Sequence, residues 1–136
     1  YGKISIPDSI LKKEERLSGE EYEIMKEHAI STYNILKRIY FSEEMSAIPE
    51  IASLHHERWD GNGYPFGKKG EEIHIGARII AVADVFDAMT SWREYHAPYT
   101  TQKAVEEIEK GKNTMFDPKI VDVFLKLYDE NRFNFR

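Results

Sequence analysis

The chain has 136 residues, 41% hydrophobic and 32% charged, a mixture that builds one soluble globular core and is unlike a disordered chain. A formal net charge of −5 argues against a general nucleic-acid surface, so an anionic ligand needs a local cation or a metal. The absence of cysteine excludes disulfides and thiolate metal sites, leaves nitrogen and oxygen ligands, and fits a cytoplasmic setting, while no apolar run approaches the roughly 20 residues of a membrane span.

In chain order, Pro7-Asp8 before Ile10-Leu11 predicts a loop and a short helical turn. Ser18 followed three residues later by Glu21 is a capping box, opening a helix in which Tyr22, Met25, His28, Ala29, Tyr33, Leu36 and Ile39 recur at helical spacing to about Tyr40, with Met25, His28, Ala29 and Leu36 on its inward stripe. Pro49 fits the first turn of the next helix, predicted to run through Leu54 to Arg58. Trp59 to Ile75 is rich in glycine and charge and reads as an ordered functional loop. Ala77 to Trp92 is apolar nearly all round and predicts a central buried helix. A break at Tyr95 to Pro98 precedes a helix over Thr101 to Lys110, and Asp117-Pro118 caps a last one. With no strand alternation and no repeat, the class is all-α, a compact bundle of about five main helices.

Two of the five histidines, His55 and His56, are adjacent. Neutral imidazole is the commonest metal ligand and a usual proton carrier. Successive helical side chains point about 100° apart, so on a helix this pair reaches two ions, or one ion and a substrate. His28 on the inward stripe of its helix reads either as a third ligand or as a satisfied core histidine. Asp84, within an apolar helix, costs several kcal/mol if buried ionised and unpaired. Metal coordination relieves that cost, and so does a salt bridge to Arg78 or Arg93. Asp87 supports ligating histidines or bonds locally near the helix end. A set of His28, His55, His56 and Asp84 suits Fe, Mn, Zn or Ni rather than Mg or Ca, and a metal there activates water for phosphoester hydrolysis. His74 reads as a solvated loop residue, and Trp92, Phe124 and Tyr128 as core.

His55-His56-Glu57-Arg58-Trp59-Asp60-Gly61-Asn62-Gly63-Tyr64-Pro65, Ala77-Arg78-Ile79, Val82-Ala83-Asp84-Val85-Phe86-Asp87-Ala88 and Thr90-Ser91 closely resemble the HD-GYP domain, a subgroup of the HD metal-dependent phosphohydrolases. The likeness extends from Gly2-Lys3-Ile4 through Lys26-Glu27-His28 to Phe116-Asp117-Pro118, nearly the whole chain. The resemblance implies an HD-like helical fold and a bacterial phosphodiesterase that opens cyclic di-GMP to linear pGpG and on to GMP. It also implies two or three metal ions, iron or manganese, with zinc or nickel as alternatives. Matched residue by residue, the metal ligands fall on His28, His55, His56 and Asp84. Lys3 matches the lysine that contacts the scissile phosphate, giving Lys3, His55, His56 and Asp84 as the catalytic set. Tyr64, Arg93 and Tyr95 match positions lining or holding the nucleotide. In some relatives the Tyr64 loop docks to diguanylate cyclase (GGDEF) domains, and an N-terminal receiver or sensor domain is a further expected partner.

The family's His-Asp pair stands one residue before the Gly-Lys that Gly2-Lys3 matches, where this chain has Tyr1. Residues 1–136 therefore read as a single HD-GYP-like domain without its N-terminal helices, with incomplete metal loading expected in this stretch alone. Glu94 and His96 stand where the family has Pro and Arg, which weakens the positive potential beside Arg93. The alternative readings are a non-catalytic cyclic-dinucleotide sensor or cyclase-docking module, and an HD phosphohydrolase for another nucleotide.

Overall fold

The structure, a computed structural model, describes residues 2–13, 15–92 and 97–130. A 3-10 turn over Gly2–Ser5 leads through Pro7 into α1, Asp8–Leu11. α2, Gly19–Leu36, starts where the capping box predicts: the Ser18 hydroxyl accepts from the Glu21 amide at 3.2 Å, and the Ser18 amide donates to the Glu21 carboxylate at 2.7 Å. α3, Ile48–Ser53, carries Pro49 in its first turn, where no intrahelical N–H is needed. α4 is Ile75–Thr90, α5 is Thr101–Lys110 and α6 is Pro118–Asp129. Among the described residues there is no strand, only an isolated parallel bridge between Lys112 and Phe116. None of their helices is long and apolar enough to cross a membrane.

Two cores hold these helices. In the larger, Ala81, Val82 and Phe86 of α4 meet Ala104, Val105 and Ile108 of α5 and Val121 and Phe124 of α6, with Tyr128 packed against them. Phe86 meets Phe124 edge-on at 5.4 Å, the arrangement that aligns ring edge with ring face. The smaller core joins α3 to α4 through Leu54, Ile73 and Ala77. At the other end the Gly2–Ser5 turn lies directly on α2. A Cβ on Gly2 would fall 2.0 Å from the His28 carbonyl oxygen and 2.1 Å from the Thr32 hydroxyl, so only glycine permits this approach. That contact carries Lys3 toward the middle of α2.

Four expectations change. α3 stops at Ser53 instead of running to Arg58: the Ser53 hydroxyl bonds back to the Glu50 carbonyl, and the chain turns at Leu54. α4 is central but not buried all round. Ile75, Ile79, Ile80, Ala83, Asp84 and Asp87 are exposed along one side, and Ile79, Ala83 and Asp87 border a groove of about 730 Å³ shared with Val123 and Leu127 of α6. Composition that is apolar on every side cannot say which side is covered. Trp92, 72% exposed, is not a core residue either. His74 is no solvated loop residue; its Nδ1 caps α4 by accepting from the Gly76 amide at 3.0 Å.

Candidate metal centre

His28 projects from the middle of α2 and is buried. Its Nδ1 is bonded to the Met25 carbonyl one turn back, and a carbonyl can only accept, so Nδ1 carries the proton and Nε2 the lone pair. The Nε2 of His28 lies 3.0 Å from the Nε2 of His56. His55 repeats the device, with Nδ1 donating to the Ala52 carbonyl at 2.8 Å and Nε2 left to ligate. Backbone anchoring of the second ring nitrogen is how ligating histidines are oriented.

The early end of α3 allows the pair to converge. Beyond Ser53 the 100° helical spacing no longer applies, and the Leu54–Glu57 turn puts the His55 and His56 rings 3.9 Å apart. Among the described residues, ligand atoms of His28, His55 and His56 all lie within 4.8 Å of one another. Two nitrogens each about 2.1 Å from one ion and at right angles to it stand about 3.0 Å apart. The His28–His56 separation has that value, which is also a hydrogen-bond length, and it is three imidazole donors within 4.8 Å of one another that fit a transition metal. Burial pushes the His55 pKa down, and burial with the charges of His55, His28 and Lys3 pushes His56 down to about 3. Both rings are thus neutral near pH 7, so a metal would not have to compete with an imidazolium.

Asp84 faces the same small cavity, about 290 Å³, as His55, His56 and Tyr64, but it is exposed and stands outside the three-histidine group. Its charge still raises the His55 pKa against the effect of burial. The desolvation cost expected of a buried Asp84 does not arise. Arg78 pairs instead with Asp117 at 2.6 Å. Asp87 accepts from the Ser91 hydroxyl at 2.9 Å, the local helix-end bond. Arg93 and Tyr95, with Glu94 and His96, lie outside the described residues.

The loop after the histidines is built to hold Tyr64. Arg58 grips the Asp60 carboxylate with two nitrogens, at 3.1 and 2.7 Å, and Asp60 in turn accepts from the Asn62 amide at 3.0 Å. The Trp59 and Asp60 amides bond to the Met115 and Thr114 carbonyls, tying the loop to the α5–α6 connection. A Cβ on Gly63 would lie 2.3 Å from the Arg58 nitrogen and 2.5 Å from the Glu57 Cα, so glycine alone lets the chain fold back here. Tyr64 then stacks on His56, with ring centroids 4.8 Å apart and planes at 27°. Burial, helped by Tyr22 and Asp84, pushes the Tyr64 pKa up to about 12, which keeps its hydroxyl a donor.

Three residues near the centre had no role assigned from sequence. Glu57 is buried and accepts from the Phe66 amide at 2.7 Å, clamping the far side of the Tyr64 turn. Tyr22 meets Tyr64 edge-on at 6.3 Å, and the Lys26 ammonium sits over both rings, 5.1 and 5.8 Å from their centres. The signal for the last two was the Tyr22–Lys26 spacing of one helical turn.

A pH dependence follows from the depressed histidines. Below the ordinary value of 6.5 the unfolded chain takes up protons that the folded His55 and His56 refuse. Stability of the metal-free protein is therefore expected to fall as pH drops from 6.5 toward 3. Melting temperature against pH should fall more steeply for the wild type than for His56→Gln, and equal slopes would contradict the assignment.

A family model described as "HD domain" matches residues 1–120. The chain is 49% identical over 129 residues to a cyclic di-GMP phosphodiesterase of Thermotoga maritima, covering 95% of this chain and 35% of that protein. It is 43% identical to a 3′3′-cGAMP-specific phosphodiesterase of Vibrio cholerae, covering 95% and 24%. It is 41% identical to the cyclic di-GMP phosphodiesterase response regulator RpfG of Xanthomonas campestris, covering 92% and 33%. The chain thus spans about a third or less of each of these relatives. A crystal structure of a cyclic GMP-AMP-specific phosphodiesterase of V. cholerae superimposes with a TM-score of 0.67 at 23% identity, over 97% of this chain and 34% of that one. That likeness gives the fold.

Proposed function

The chain belongs to the HD-domain family, and on that premise we propose that it carries the metal-holding and substrate-facing part of a phosphodiesterase that hydrolyses cyclic di-GMP to linear pGpG and on to GMP. The observation that carries this reading is the convergence of three imidazoles, two of them anchored to backbone carbonyls, beside Tyr64 and the Lys3 turn. Relatives named as phosphodiesterases of cyclic dinucleotides supply the substrate class.

His28, His55 and His56 would hold the metal, with Asp84 closing the site from α4. Iron or manganese in a two- or three-ion centre is the reading for such a set, with zinc or nickel as alternatives. The chemistry that a metal supplies when bound is a water of lowered pKa and neutralisation of phosphate charge. The protein's own residues do the rest. Lys3 brings a point charge to the scissile phosphate of a ligand that the net acidic chain would otherwise repel. The Tyr64 hydroxyl, protonated well above neutral pH, donates to a phosphate or base edge. Its stacking on His56 holds the loop over the site and limits water access.

The same reading sets the protein in the cytoplasm, gives the Tyr64 loop a second use as a docking surface for a GGDEF domain, and expects a receiver or sensor domain in the parent protein. The test is product analysis with the metal-loaded protein expressed with its natural flanking sequence, offered cyclic di-GMP and 3′3′-cGAMP in parallel. Formation of pGpG from cyclic di-GMP is expected. Binding without cleavage would replace the enzyme by a sensor, and preference for 3′3′-cGAMP would replace the substrate.

A further inference from the structure

We infer that Tyr22, backed by Lys26, is the shelf on which a purine base of the substrate stacks. This rests on the cyclic-dinucleotide reading above and adds a specificity residue to it. Four observations converge on the corner between α2 and the Tyr64 loop. Tyr22 lines the same cavity as His55, His56, Tyr64 and Asp84. It keeps 46% of its surface exposed beside that cavity, although the ring is large and apolar. Its contact with Tyr64 is edge-to-face, at an interplanar angle of 80°, so the two rings form a corner and not a closed stack. The Lys26 ammonium, held by Glu23 at 2.6 Å, sits over the Tyr22 ring and brings a cation to a corner that otherwise faces Asp84.

The placement suits a nucleotide. Tyr64 is in ring contact with both His56 and Tyr22, so the shelf lies two ring contacts from the nitrogens that would hold the metal. A phosphate at the metal leaves its sugar to span Tyr64 and its base to reach Tyr22. An aromatic platform binds every base through its π-face, and loss of one such contact weakens binding about 5- to 150-fold. Lys26 adds a cation beside the ring, which favours an anionic ligand over a neutral aromatic one.

A purely structural Tyr22 would only prop Tyr64 in place. Tyr22→Leu keeps apolar bulk against Tyr64 and removes the π-face, whereas Tyr22→Phe keeps the face and removes the hydroxyl. The experiment uses the metal-loaded protein with its natural flanking sequence. It reads KM and kcat for cyclic di-GMP, and the fluorescence of a cyclic dinucleotide with 2-aminopurine as one base. In the wild type and in Tyr22→Phe, stacking is expected to quench the 2-aminopurine. In Tyr22→Leu the quenching should be lost, and KM should rise about 5- to 150-fold with a much smaller change in kcat. Retained quenching and a KM within twofold of wild type in Tyr22→Leu would overturn the shelf while leaving the phosphodiesterase in place. Equal losses in Tyr22→Phe and Tyr22→Leu would also overturn it, because the hydroxyl would then be the working group. A wild type that neither bound nor cleaved either dinucleotide would overturn the function and the shelf together.

Discussion

Replacing His56 with alanine is expected to remove bound metal and to lower turnover at least ~10³-fold, the largest single effect on activity anywhere in the chain. His56 is the hinge of the three-histidine group: its Nε2 faces that of His28 at 3.0 Å, its ring lies 3.9 Å from that of His55, and Tyr64 stacks on it. Removing it takes away a ligand and the seat of the loop together. His28→Ala and His55→Ala should lose metal as well, because each presents Nε2 from a ring whose Nδ1 is fixed by a backbone carbonyl. His74→Ala is the control. That residue caps α4, so it should cost about 1 kcal/mol of stability and leave metal content alone. Elemental analysis of the purified variants beside their turnover checks this. Full metal content in His56→Ala would sink the assignment of the centre.

Asp117→Ala is expected to be the most damaging substitution for stability, by about 3–5 kcal/mol. One carboxylate does two jobs here. Oδ1 accepts from the Lys119 amide at 2.8 Å and caps α6, while Oδ2 accepts from the Arg78 guanidinium of α4 at 2.6 Å. Asp117 is almost completely buried and Arg78 partly so, with 15% side-chain exposure, and the guanidinium also lies 5.7 Å from the Trp59 ring. Alanine leaves a largely desolvated cation without its counter-charge and α6 without its cap. Against a total of about 5–15 kcal/mol for a domain, that is a large share. Asp117→Asn should fall between, since it keeps the cap and loses the charge. Arg78→Met combined with Asp117→Ala should recover stability relative to Asp117→Ala alone, because no orphan charge remains. Urea midpoints at constant slope compare the three variants with the wild type, and a double variant no better than Asp117→Ala would contradict the account.

Much of the architecture was legible because it is encoded locally. Ser18 with Glu21, Pro49, Thr101 to Lys110 and Asp117-Pro118 mark helix ends by bonds that close within one turn of chain, and these ends stand where the periodicity puts them. The histidine doublet and the glycine-rich turn marked the candidate site for the same reason: unusual chemistry at close spacing is visible without a fold. His28 could be read from sequence alone either as a core residue or as a ligand, and only the packing of α2 against the turn after α3 brings it against a residue 28 positions away.

What the tertiary structure decided lies beyond the reach of local pattern. The stop of α3 at Ser53 turns a helical pair that points apart into a pair that points together, and one serine hydroxyl bonding back to Glu50 carries no strong sequence signal. The apolar stretch that became α4 showed its composition but not its orientation. Ala77, Ala81, Val82 and Phe86 face the cores, while Ile79, Ile80, Ala83 and Asp84 face outward, because coverage depends on where α5 and α6 land. Tyr22 showed only its helical spacing in the sequence, and its neighbours in the fold make it part of the cavity wall. Sequence by itself determined the helices, their caps and the kind of chemistry at hand, since those depend on bonds within a turn or two. Which faces are buried and which distant side chains meet was decided by packing, because hydrophobic burial is non-directional and only the assembled fold selects the partners.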